Sequence, residues 1–177
     1  MEVNLYQSLE CRNYVEINQQ IFQHINHLGI ANTTTEFWNP VDTASMFKAA
    51  PLFLEWTIEQ NLKIKTIAVT VGKQLNCCGI HIDTPPARYK LSWPVLNADQ
   101  TYNRWFKEIG PCEPFINNHG GKTYPPDSKL IEIQRRTLSG PAIIDAGIPH
   151  DVQFHTIEPA YPRIVLQCQL FNEPKSL

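Results

Sequence analysis

The hydrophobic period of this chain changes at residue 63, and that change restricts what it can fold into. Before it, Tyr14, Ile17, Ile21, Ile25 and Leu28 recur at three- and four-residue steps, with Val15 and Phe22 widening the stripe. This spacing predicts one amphipathic helix, closed by Gly29 where a C-terminal glycine belongs. A polar stretch, ANTTTEFWNPVD, leads to TASMFKAAPLFLEWTIEQN, where Pro51 is expected to start or kink a helix because it has no amide hydrogen to donate. From residue 63 onward come KIKTIAVTV, GIHIDT, RYKLSWPVLN, TYNRWFKEI, KLIEIQRRTL, PAIIDAG, DVQFHTI and RIVLQCQLF. These are short, β-branched or aromatic segments punctuated by Gly, Pro and Asn. Two helices followed by so many strands predict a mainly β, α+β fold, a sandwich or barrel with helices against one side.

The 177 residues suit one domain with one sizeable core. Within it we expect a helical region over 1–62, a β core over 63–171, and a surface loop over 110–128, GPCEPFINNHGGKTYPPDS. A charged fraction of 18% beside 42% hydrophobic residues is a globular composition. The net charge of -2 gives no electrostatic case for nucleic acid or an anionic membrane, and no apolar run approaches a membrane span. The N-terminus lacks the pattern of a secretory signal. Five cysteines, with Cys77 and Cys78 adjacent and no CxxC pair, predict reduced thiols in a cytoplasmic setting.

One strand-like stretch contains a feature that packing does not require. In GIHIDT, His81 and Asp83 stand two residues apart. In a strand such residues point to one face about 7 Å apart, which lets them converge on one ion. Burying an unpaired carboxylate is costly, and a metal removes that cost. The plain alternative is a salt-bridged or solvent-facing pair at a strand end. A third ligand would come from DAGIPHDVQFH, which offers His150 and His155. The turn residues Gly147 and Pro149 fix where the next strand begins and favour His150, which then shares a face with Val152 and Phe154, whereas His155 points the other way. Two histidines and a carboxylate on one side of a metal favour non-haem Fe(II), with positions left open for substrate and dioxygen. A closed structural zinc site would use thiolates at a spacing these cysteines lack.

The last strand, RIVLQCQLF, puts Ile164, Leu166, Cys168 and Leu170 on one face and Arg163, Val165, Gln167 and Gln169 on the other. An arginine on a partly polar inner face calls for an anion, and its planar fork suits a carboxylate. A protein salt bridge at a strand start is the competing explanation.

The order His81-x-Asp83, a distal histidine, then an arginine thirteen residues after His150 resembles the Fe(II)- and 2-oxoglutarate-dependent oxygenases. The resemblance runs over about residues 64–171, and IPHDV before PRIVLQCQLF is similar to the family's usual ending. It implies a double-stranded β-helix, or jelly roll, with the N-terminal helices packed on one sheet. His81, Asp83 and His150 would hold the iron, with His155 the competing ligand, and Arg163 would pair with the distal carboxylate of 2-oxoglutarate. Many members have serine two residues after that arginine; this chain has Val165. Tyr89, Ser92 or Tyr102 would then take over the serine's contact. The implied reaction consumes O2 and 2-oxoglutarate, releases succinate and carbon dioxide, and hydroxylates a C–H bond, the protein orienting the co-substrate.

HIDTPPARYKLSWPVLN followed by TYNRWF is similar to the small aspartyl/asparaginyl and prolyl hydroxylase-like members. On that reading Arg88, Trp93 and Trp105 are candidates for the substrate pocket, and the substrate is a polypeptide side chain or a small molecule. Trp93, Tyr102, Trp105 and Phe106 are equally suited to a core. Arg88 and Lys90, just after the HxD turn and near the expected site mouth, would attract an acidic substrate or co-substrate, and a solvated strand end explains them as well. His119 is expected to be exposed. Two readings of other kinds compete. A cupin-like metal protein, an isomerase or ligand-binding module, would normally show HxH where this chain has His81-x-Asp83; a β-sandwich interaction protein would leave the polar pattern as coincidence.

Overall fold

The computed structural model describes residues 4–33, 38–72, 79–83, 88–117, 120–156 and 158–171. Cys77, Cys78 and His119 lie outside the described residues. The first helix, α1 (Tyr14–His27), buries Ile17, Ile21 and Ile25 on one stripe. Gly29 follows in the left-handed region at φ 72°, a conformation that suits glycine and ends the helix. The apolar stripe is narrower than the spacing suggests, because Val15 is 73% exposed. A second helix, α2 (Thr43–Ala49), is capped by Asp42, whose carboxylate accepts the Ser45 amide at 2.7 Å. Pro51 starts a third, α3 (Pro51–Glu59), at the position where its missing N–H costs nothing.

Among the described residues there are twelve strands: β1 (Tyr6–Ser8), β2 (Trp38–Val41), β3 (Ile64–Gly72), β4 (His81–Ile82), β5 (Tyr89–Leu96), β6 (Thr101–Glu108), β7 (Phe115–Ile116), β8 (Lys122–Thr123), β9 (Leu130–Thr137), β10 (Ala142–Asp145), β11 (His150–Phe154) and β12 (Arg163–Leu170). They form two six-stranded antiparallel sheets, ordered β1-β10-β5-β12-β3-β2 and β7-β8-β4-β11-β6-β9. The segment 110–128 is therefore more than a loop: its β7 and β8 extend the second sheet beyond β4.

The main core lies between the helices and the first sheet. Ile17, Ile21 and Ile25 of α1, Met46 of α2 and Phe53 and Trp56 of α3 pack on Ile67, Val69 and Val71 of β3, Leu91, Trp93 and Val95 of β5, and Ile164, Leu166 and Cys168 of β12. Every second residue of those central strands faces the helices, as the pleat demands. Docking is specific as well as apolar. The Tyr14 hydroxyl donates to the Pro94 carbonyl, and Asn18 donates to the Val95 carbonyl while accepting from the Trp93 indole at 3.1 Å. The residues between, Lys90, Ser92, Arg163, Val165 and Gln167, belong to the opposite face of the sheet, toward the second sheet. There a smaller cluster of Leu5, Trp105 and Ile144 joins the two layers. No helix among the described residues is long and apolar enough to cross a membrane.

Candidate metal centre

β11 lies beside β4 in the second sheet with His150 directly opposite His81, so both side chains leave the same face. Their ring centroids are 4.4 Å apart. Each Nδ1 lies within hydrogen-bond distance of the carbonyl two residues earlier, His81 on Gly79 at 2.8 Å and His150 on Ile148 at 2.9 Å. A carbonyl oxygen only accepts, so Nδ1 carries the proton in both rings and Nε2 keeps its lone pair. That fixed tautomer is what a metal-binding imidazole needs.

Asp83 joins them from the end of β4. Its carboxylate oxygens lie 3.8 Å from His81 Nε2 and 3.7 Å from His150 Nε2. These separations are too long for hydrogen bonds, so the three groups converge without satisfying one another. One donor atom from each lies within 4.8 Å of the others, a set that can hold a metal ion. Burial and the neighbouring His81 lower the His150 imidazole to about 4, so it is neutral at neutral pH. Burial would raise the Asp83 carboxyl, but Lys90, His150 and His81 outweigh it and hold it below the usual range. Asp83 and His150 are thus in the protonation states that ligation requires.

Lys90 is where sequence reasoning falls short. Of its two readings the solvated strand end fails: it is 6% exposed, with Nζ 2.5 Å from Asp83 Oδ2 and 5.0 Å from the Trp38 ring centroid. Alternation along β5 could have placed it: Leu91, Trp93 and Val95 face the helices, so Lys90 and Ser92 face inward.

A second ion pair fixes the turn ahead of His150. Both Arg88 Nε and Arg88 Nη2 donate to Asp145 Oδ2, at 3.0 and 2.9 Å, while Asp145 Oδ1 accepts the Gly147 amide at 2.9 Å. A Cβ on Gly147 would come within 2.8 Å of Arg88 Cγ, so the close approach needs glycine. Asp83 is tied to the same segment by its amide, which donates to the Ala146 carbonyl at 3.0 Å. Asp83 and Arg88 are therefore both tied to the segment Asp145–Gly147 that precedes His150. The Arg88 guanidinium is engaged in that ion pair and also lies over the Tyr89 ring.

Arg163 is buried at the start of β12, on the inner face, and its Nε donates to Thr101 Oγ1 at 3.0 Å. Ser92 is fully buried on the same face and bonds Gln167 Oε1 at 3.1 Å. The other candidates lie elsewhere. Tyr89 packs against the helix-side core, on the opposite face from Ser92. Tyr102 stacks with His155 at 4.9 Å and lies under the Arg135 guanidinium, one residue out of phase with the inward Thr101. Trp93 is buried among Tyr14, Phe53 and Trp56 beneath the helices, so it is core and lines no part of this site. Trp105 does face inward, directly opposite His150 in β11, but its indole donates to the Asp145 carbonyl at 2.8 Å and its ring packs with Leu5 and Ile144. His155 is held by the Asp99 carbonyl at 2.9 Å and stands outside the cluster. Thr101 escaped the sequence reading because nothing in TYNRWF marks which residue turns inward.

No protein-family model matches the chain. No curated protein matches it. Among solved structures, it is similar to hydroquinone 1,2-dioxygenase PnpCD, determined in complex with Cd2+ and 4-hydroxybenzonitrile, at 11% identity and a TM-score of 0.34. The match covers 62% of this chain and 59% of that one, so less than two thirds of the dioxygenase chain is represented. A likeness this slight carries no weight for the chemistry of the site.

Proposed function

We propose that this chain is an Fe(II)- and 2-oxoglutarate-dependent dioxygenase that hydroxylates a C–H bond of a polypeptide side chain or a small molecule. The observation that carries the reading is the convergence of His81 Nε2, Asp83 and His150 Nε2 on the inner side of a two-sheet fold whose interior also contains a buried arginine. Two imidazoles and one carboxylate suit non-haem Fe(II) and leave positions open for a chelating co-substrate and dioxygen. The strand order supports a double-stranded β-helix. β3, β5, β10 and β12 lie in one sheet and β4, β6, β9 and β11 in the other, so with β7 and β8 set aside every step but β6 to β9 crosses between sheets.

His81, Asp83 and His150 would hold the metal, and Arg163 would take the distal carboxylate of 2-oxoglutarate. Thr101 holds the guanidinium by its Nε, so the fork is oriented before the anion arrives. Ser92 and Gln167 form a polar wall in place of the serine that Val165 replaces. When bound, the metal and co-substrate supply the oxidising chemistry, with succinate and carbon dioxide as by-products. The chain contributes the orientation of these groups.

The test is to mix anaerobic protein with Fe(II) and 2-oxoglutarate and look for the weak visible charge-transfer band of a chelated keto acid. We expect the band in wild-type protein and in His155→Ala, and its loss in His150→Ala. Bound iron with no band in the wild type would sink the 2-oxoglutarate assignment.

A further inference from the structure

Lys90 is a buried cation that the ligand set does not explain. Its ammonium has three N–H donors, and among the described residues only Asp83 Oδ2 accepts one, with the face of Trp38 nearby. In the metal-free protein the pair Lys90–Asp83 is neutral, which makes the burial tolerable. A divalent ion on Asp83 changes that balance. The ion and Lys90 against the carboxylate of Asp83 leave two net positive charges at the cluster. Low dielectric penalises such an excess, so an anion must enter with the metal.

We propose that Lys90 is a second anchor for a metal-bound carboxylate: an oxo acid bound to the metal through its carboxylate head also accepts an N–H from Lys90 Nζ. Position supports this assignment. Nζ is in contact with the same carboxylate that would ligate the metal, and Lys90 and Arg163 leave the same face of the first sheet, from neighbouring strands β5 and β12. Lys90 lies opposite Gln169 at one end of the β5–β12 pairing and Arg163 starts β12 at the other, so the lysine serves the metal-proximal end of a ligand and the arginine is set apart from it. This inference rests on the metal site proposed above, and it concerns ligand binding without turnover.

The experiment measures two affinities separately by calorimetry under anaerobic conditions: Co(II) for the protein, and then oxalate or 2-oxoglutarate for the Co(II)-loaded protein. Oxalate is too short to reach a distal arginine, so it reports the metal-proximal anchor. In Lys90→Met we expect Co(II) affinity to stay within about threefold, and oxalate and 2-oxoglutarate each to weaken at least tenfold, a loss in the range of a charged hydrogen bond. Lys90→Arg, which keeps the charge, should recover part of the loss. Arg163→Met should weaken 2-oxoglutarate while leaving oxalate unchanged. Unchanged oxalate affinity in Co(II)-loaded Lys90→Met would overturn the proposal. So would loss of Co(II) from both Lys90 variants, which would confine the lysine to holding Asp83. Failure of the wild type to bind Co(II) would instead remove the metal centre itself.

Discussion

His81 and His150 face each other across the β4–β11 pairing, and each ring is steered by a carbonyl two residues before it in its own chain. The tautomer is thus set by local backbone, and the meeting of the two rings by strand register. Register is a strict condition: a slip of one residue would put His150 on the outer face.

Acid should unfold the metal-free protein in a defined window. His150 takes a proton in the folded chain only near pH 4, against 6.5 for an unperturbed histidine, because of burial and His81. The unfolded chain binds that proton first, so stability is full above pH 6.5 and falls as pH drops toward 4, by about 3 kcal/mol. Asp83, whose carboxyl is held low in the fold, adds a further loss below its ordinary value of 3.8. Urea denaturation from pH 7.5 to 4 measures this, and His150→Gln should flatten the upper part of the curve.

Removing Asp83 should cost more than removing the pair it forms. Asp83→Ala leaves the Lys90 ammonium buried with no acceptor among the described residues, and we expect a destabilisation of about 3–5 kcal/mol. The double variant Asp83→Ala, Lys90→Met should regain much of that loss. A double-mutant cycle in denaturant reads the coupling directly, and additive single effects would contradict it.

Thr101 should act on ligand binding through Arg163, although its hydroxyl also donates to the Ala98 carbonyl at 2.8 Å. Thr101→Val keeps the shape of the side chain and deletes the acceptor at 3.0 Å from Arg163 Nε. We expect 2-oxoglutarate affinity to fall by about tenfold, equivalent to about 1.4 kcal/mol, with metal affinity unchanged. Calorimetric titration of the metal-loaded variant gives both numbers.

Trp93 should affect stability and leave ligand binding intact. It is fully buried against Tyr14, Phe53 and Trp56, with its indole bonded to Asn18. Trp93→Ala should cost about 3–5 kcal/mol of stability. The folded fraction should bind Co(II) with wild-type affinity, because the side chain lies on the helix side of the sheet.

What the sequence determined by itself is what depends on periodicity and local chemistry. The 3.6-residue stripe of Ile17, Ile21 and Ile25, the stop at Gly29, the start at Pro51 and the alternation along RIVLQCQLF follow from near neighbours in the chain. His81 and Asp83 share a face for the same reason. The short strands β7 and β8 gave no such signal, since two residues carry no period. Tertiary structure decided which charges are buried and with what. Lys90 and Arg88 stand two apart at the head of β5, yet one is buried on Asp83 and the other is half exposed on Asp145, because the β10–β5 pairing brings Asp145 alongside while Asp83 comes from the facing sheet. Thr101 and Tyr102 are adjacent, and which of them meets Arg163 depends on how β6 lies under β12. Contacts between residues about sixty apart in the chain are set by register and packing, which no local pattern encodes.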